Sequence, residues 1–141
     1  MIIDPSKYLT GIPLIDTQHK QYIALINKLV DKYHQGNITK AGFTDYVNEI
    51  EAYALEHFDA EEFLMRSAKY PLYEEHLAKH DSFRDKMGSF TEGMETKEID
   101  LSKDVKTLCE WLIDWFKVQV LDDDIKLAKF IKENHIICKE E

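Results

Sequence analysis

Apolar residues recur three and four positions apart through most of the chain, and an alternating pattern is nowhere sustained, so the sequence predicts helices and no strands. A first helix over 17–36 follows Asp16 or Thr17 as N-cap. It aligns Ile15, Tyr22, Ile26, Leu29 and Tyr33, and stops at Gly36. A second, over 40–66, is capped by Thr39; its stripe runs Phe43, Val47, Ile50, Ala54, Leu64 and Met65, ending before Tyr70-Pro71. Pro71 suits the first turn of a third, over 71–91, with Leu72, Phe83, Met87 and Phe90 inward and Gly88 and Gly93 weakening its end. The stretch from Thr91 to Leu101 reads as a connection. A fourth, over 103–134, starts near Ser102 and Asp104 and aligns Val105, Leu108, Leu112, Phe116, Leu127 and Ile131. Four long amphipathic helices with short connections predict an all-α fold, an antiparallel up-down-up-down four-helix bundle.

At 141 residues with 44% hydrophobic content, the chain fits a single domain spanning 1–141. A net charge of −9 repels phosphate groups and anionic lipid, so nucleic acid and membrane surfaces are not expected partners. Even the most apolar stretch, Leu108 to Leu121, is interrupted by Glu110, Asp114, Lys117 and Gln119, too often for a bilayer span. Residues Met1 to Lys7 do not read as a secretory signal, and Cys109 and Cys138 read as two reduced thiols; a cytoplasmic protein is expected.

What changes the picture is where the apolar stripes break. The series 15, 19, 22, 26, 29 puts His19 on the core face of the first helix. In the second, His57 and Glu61 stack four apart; in the third, His76 and His80 repeat that spacing; in the fourth, Asp124 precedes Leu127. In an up-down bundle all of these fall at one end, within roughly 5 to 20 Å of it at ~1.5 Å rise per residue. Four inward imidazoles and two inward carboxylates are hard to satisfy by mutual hydrogen bonds, because neutral imidazoles pair poorly and nearby carboxylates repel. Divalent cations resolve both problems, and this donor set suits Fe, Mn or Zn better than Mg or Ca. His34 and His135, at or near helix ends, read as solvated. Asp122 and Asp123 read as an exposed acidic face, Asp123 being the nearest competitor to Asp124 as a ligand.

These residues resemble the hemerythrin family, specifically its single-domain bacterial members. The resemblance is carried by Gly11-Ile12, Ile15-Asp16-x-Gln18-His19-Lys20, His57-Phe58-x-x-Glu61-Glu62-x-x-Met65, His76-x-x-x-His80-x-x-Phe83, Trp111-Leu112 and Asp114-Trp115 leading to Asp124. It implies a four-helix bundle with two non-heme iron ions that binds O2 or a similar small diatomic ligand without porphyrin. It further implies that His19 and His57 serve the iron with the open coordination place and that His76 and His80 serve the other. Glu61 and Asp124 would bridge both irons, beside an oxo or hydroxo group. The family places a third histidine on the second iron, five residues before the bridging Asp; here that place is Gln119. His135, sixteen residues further on, is roughly 24 Å away along a helix and does not repair the loss.

An amide oxygen is a harder, weaker donor than imidazole. Gln119 then either ligates loosely or fills the space and hydrogen-bonds a metal-bound water. The resulting expectation is an O2 carrier, store or sensor with an altered iron site, more prone to autoxidation, served by an electron donor that the sequence does not identify. It would be a monomer or weak homo-oligomer. Ile15, Tyr22, Leu64, Phe83, Phe116 and Val120 would supply a dry lining. The alternatives are a di-iron enzyme acting on peroxide or nitric oxide, and a degenerate bundle that binds one metal or none.

Overall fold

The computed structural model describes residues 9–96 and 98–134 and, within that span, every side chain other than those of 120–122. Helices α1 (Pro13–His34), α2 (Lys40–Ala68), α3 (Tyr73–Thr96) and α4 (Leu101–Val118) are followed by a π-helical segment, Gln119–Asp124, and by α5 (Ile125–Glu133). The described residues are all-helical, with no strand. His135 and Cys138 lie outside them.

The helix ends show which local signals prevailed. Helix α1 begins at Pro13, ahead of the expected Asp16 or Thr17 cap, because proline's fixed φ is already helical and its missing N–H costs nothing there. Asp16 instead lies in the first turn and reaches back, accepting from Thr10 N and Oγ1 at 2.7 Å and from Gly11 N at 3.0 Å. Lys132 Nζ donates to the Thr10 carbonyl at 2.6 Å, tying this arm to α5. At the other end Gly36, with φ +70°, takes the left-handed turn, and Asn37 N–H donates to the Lys32 carbonyl. Thr39 caps α2 as expected, accepting from Gly42 N at 3.0 Å.

Helix α3 starts at Tyr73 and not at Pro71. Lys69 leaves α2 in the left-handed region (φ +53°), and Tyr70-Pro71 turns the chain, proline holding its predecessor out of the helical region. Leu72, expected inside, is consequently exposed. The same helix runs through Gly88 and Gly93 to Thr96, overturning the expected connection from Thr91. Met87 is fully buried and Phe90 and Met94 pack on the core, which outweighs a glycine cost of about 1 kcal/mol each. Asp100 caps α4, accepting from Lys103 N while Asp104 accepts from Asp100 N, so this helix starts slightly earlier than expected.

Helix α1 packs on α2 and α4, and α2 packs also on α3. Two apolar clusters result. The larger joins Tyr22, Ile26 and Leu29 of α1, Phe43, Ile50 and Phe58 of α2, Phe83 and Met87 of α3, and Leu108, Leu112 and Phe116 of α4. The smaller joins Ile12, Ile15, Met65, Tyr70, Leu127 and Ile131. Every inward polar residue predicted from the sequence lies, along its helix, beside or between these clusters.

Phe43, fully buried and edge-on to Phe90, anchors the larger cluster far along α2 from the polar residues. Phe43→Ala is expected to lower the unfolding free energy by about 3–5 kcal/mol in urea titration, without changing metal uptake by the folded fraction.

Candidate metal centre

Four elements deliver side chains to one buried point. His19 comes from α1, His57 and Glu61 from α2, His76 and His80 from α3, and Gln119 and Asp124 from the two ends of the π-helical segment, all of them buried. The π segment solves a phase problem. Residues five apart on a regular α-helix point about 140° away from each other, whereas i→i+5 bonding brings them toward one side. Gln119 Nε2 accordingly donates to Asp124 Oδ1 at 3.2 Å.

The donor atoms form two groups that share both carboxylates. His19, His57, Glu61 and Asp124 make one; Glu61, His76, His80 and Asp124 make the other, with ligand atoms in each group within 4.8 Å of one another. His19 Nε2 lies 2.8 Å and His57 Nε2 3.3 Å from Asp124 Oδ2, and the two imidazole nitrogens are only 3.2 Å apart. On the other side His76 Nε2 is 3.2 Å from both Glu61 Oε1 and Asp124 Oδ1, and His80 Nε2 is 3.2 Å from Glu61 Oε1. Gln119 Nε2 sits 2.8 Å from His76 Nε2 and 3.3 Å from His80 Nε2.

Protons alone serve this cluster badly. Burial, reinforced by repulsion from Asp124, raises the Glu61 carboxyl well above its usual range. Asp124 is held well below its own range, the hydrogen bonds from His19, His57 and His76 overcoming its burial. Burial disfavours a charge on His76, yet its hydrogen bonds to Asp124 and Glu61 push it up to about 10. Burial, and then the neighbouring His76, drive His80 down to about 2, and burial also lowers His57. Glu61 Oε2 has no hydrogen-bond partner among the described residues. Converging imidazole lone pairs, an orphaned carboxylate oxygen and two shared carboxylates fit cations better than they fit protons.

The far sides of two imidazoles are anchored. Gln18 Oε1 is 2.9 Å from His57 Nδ1, and Glu62 Oε2 is 2.8 Å from His80 Nδ1. Either contact keeps the Nδ1 proton outward and turns Nε2 with its lone pair to the centre. Arg84 donates to Glu62 at 2.6 Å and lies over the Phe58 ring, which itself stacks on His80 at 4.0 Å. Periodicity alone did not single out Glu62; its place three residues before Met65 and four after Phe58 was the available signal.

A cavity of about 20 Å³ adjoins the His19–His57 side, bordered also by Tyr22, Ala54, Phe58, Trp115 and Phe116 and, from the π segment, by Gln119 and Asp124. Roughly 10–15 Å³ on this measure holds one water, so the space suits a molecule of two or three atoms. Of the expected dry lining only Tyr22 and Phe116 border it. Ile15 and Leu64 belong to the smaller cluster, Phe83 packs on Phe58 and Trp111, and the Val120 side chain is outside the described ones. Burial raises the Tyr22 phenol above its ordinary pKa.

Other expectations fall out as follows. His34 is exposed at the end of α1. Asp123, read as part of an acidic face, is buried and pairs with Lys79 at 2.8 Å, because the π segment turns it toward α3; the side chain of Asp122 is not described. Cys109 is a buried free thiol, pushed up to about 11 chiefly by burial.

Comparison with known proteins agrees with this geometry. The hemerythrin HHE cation-binding domain family matches residues 10–131. A bacteriohemerythrin of Clostridium acetobutylicum is 29% identical over 135 residues, covering 88% of this chain and 96% of its own length. One of Aquifex aeolicus is 31% identical over 130 residues, covering 92% and 97%. One of Pseudomonas aeruginosa is 32% identical over 115 residues, covering 82% and 71%. A crystal structure of wild-type hemerythrin matches the fold with a TM-score of 0.80 at 21% identity, over 93% of this chain and 97% of that one.

Removing the Glu62 carboxylate strands His80 Nδ1 and takes from Arg84 its shortest carboxylate contact, while Asp81 still pairs with it. Glu62→Ala is expected to destabilise the metal-free protein by about 2 kcal/mol, and Glu62→Gln by less, in thermal or urea denaturation.

Proposed function

From the premise that the chain belongs to the hemerythrin family, whose members bind O2 at non-heme iron, we propose that it is a di-iron protein that binds O2 as a carrier, store or sensor, with an iron site altered at Gln119. The observation that carries this reading is the pair of donor groups sharing Glu61 and Asp124. In it His19 and His57 would hold one iron, on the side that the cavity adjoins. His76 and His80 would hold the other, with Glu61 and Asp124 as the carboxylates common to both donor groups. The packing of α1 on α2 and α4, and of α2 on α3, supports reading 1–141 as one up-down-up-down bundle, with the π segment and α5 continuing its fourth helix. No helix among the described residues is long and apolar enough to cross a membrane. The free Cys109 thiol supports a reducing, cytoplasmic setting, where a separate donor would supply electrons to a monomer or weak homo-oligomer.

Bound ferrous iron supplies the electrons and the ligand-binding place that O2 requires. The chain supplies the rest. Phe58 and Phe116 wall the cavity and exclude the water whose protons would make O2 binding irreversible. Gln18 and Glu62 hold His57 and His80 in the tautomer that presents Nε2 inward. With its amide turned, Gln119 would offer Oε1 to the iron held by His76 and His80, a weaker donor than the family's third imidazole. That position also favours a second reading, a two-site centre that turns over peroxide or nitric oxide, which steady-state consumption with a reductant would reveal.

Iron content and optical spectra of the reduced protein before and after O2 test the proposal. Close to two irons per chain and a new ligand-to-iron charge-transfer band are expected; fewer than about one iron per chain, or a featureless spectrum from loaded protein, would support the degenerate bundle instead. Gln119→His is expected to slow iron loss by roughly 10–100-fold and to slow autoxidation. Iron at about 100 times its dissociation constant should stabilise the fold by about 2.7 kcal/mol for each site filled, a gain abolished in Glu61→Ala.

A further inference from the structure

Of the buried atoms at the centre without a hydrogen-bond partner among the described residues, His19 Nδ1, His76 Nδ1 and Glu61 Oε2 belong to the donor residues themselves, which are otherwise engaged with one another. Asp124 Oδ2 faces His19 and His57, and the Gln119 amide nitrogen faces His76, His80 and Asp124. The Tyr22 hydroxyl differs. It is buried, has no hydrogen-bond partner among the described residues, and belongs to a residue bordering the cavity that His19 and His57 also border. Tyr22 lies one helical turn beyond His19, on the side of the larger apolar cluster. Its ring stacks on Phe116 (5.9 Å, 21°), and the His19 imidazole meets the same Phe116 edge-on at 5.4 Å. One phenylalanine thus holds the phenol and the imidazole as two walls of a single space.

A buried hydroxyl left unpaired is costly, and the same ring without it would fill the wall equally well. Ala54, a small residue on the opposite helix, keeps the space open. The volume, about 20 Å³, admits a molecule of two or three atoms. We propose that Tyr22 is a specificity-determining residue whose hydroxyl donates a hydrogen bond to a small ligand held in this cavity, favouring ligands that carry negative charge when bound. This rests on the di-iron reading above and deepens it. The aromatic and aliphatic walls alone would discriminate by size; the phenol adds discrimination by acceptor strength.

The test compares the 141-residue protein with Tyr22→Phe, which preserves the ring. In the iron-loaded, oxidised proteins, azide titrated optically is the probe, and the variant is expected to bind it about tenfold more weakly, the scale of one hydrogen bond. In the metal-free proteins the variant's melting temperature is expected to be equal or a few degrees higher, since only an unpaired hydroxyl is removed. Equal azide affinity would overturn the role of Tyr22 while leaving the di-iron centre standing. A lower melting temperature in the metal-free variant would show that the hydroxyl serves the fold and would overturn the proposal as well. Azide binding to neither protein, or failure of both to hold iron, would remove the di-iron reading and this inference with it.

Discussion

The structure turns on one constraint: titratable groups taken out of water must be compensated, and here they are taken out together. Glu61, His80 and Asp124 are fully buried, and His19, His57 and His76 nearly so. No single helix could tolerate its share. His57 and Glu61 alone would leave a carboxylate with one imidazole neighbour in an apolar seam, and Asp124 alone would be an unpaired buried charge. Packed together, each supplies a neighbour the others need, and the group presents lone pairs to a common centre. The affinity for a cation and the integrity of the bundle end are therefore coupled properties.

The apolar clusters give this arrangement its precision. Each contributing helix passes from one cluster to the other across the polar layer: Ile15 to Tyr22 on α1, Phe58 to Met65 on α2, Phe116 to Leu127 across the π segment. Packing on both sides fixes the height of the donors. Phe58 does so most directly, stacking on His80 while meeting Phe83 and Trp115 edge-on. Outward, the Glu62–Arg84 pair extends the same control to the surface, since Arg84 also pairs with Asp81 and covers the Phe58 ring. The Lys79–Asp123 pair does the equivalent for the π segment, fastening it to α3.

Two further residues shape this centre, Gln119 and Tyr22. Gln119 stands where a third imidazole is expected from the family pattern, yet it is buried and already within hydrogen-bond distance of two histidines and Asp124. Its amide is integrated into the layer and not merely tolerated there. Tyr22 brings a further polar atom to the wall of the cavity that Gln119 also borders. The amide bonds Asp124 directly, and the phenol belongs to a residue bordering the cavity that Asp124 also borders.

The helices and the inward positions of His19, His57, Glu61, His76, His80 and Asp124 were legible in the chain because helical period and its interruptions are local properties, readable from spacing alone. Where helices end was less legible. At Leu72 a turn exposed a residue whose period put it inside, and at Gly88 and Gly93 tertiary burial overrode weak propensity. The reciprocal phase of Gln119 and Asp124 was beyond spacing altogether, because two residues five apart share a face only when the helix is underwound, and packing decides that. The same holds for Glu62 against His80, for Asp123 against Lys79 and for the unpartnered Tyr22 hydroxyl. Sequence by itself determined which side chains enter the core, since that follows from the periodicity of one helix; tertiary structure decided which atoms meet there, since that depends on the relative rotation and height of several.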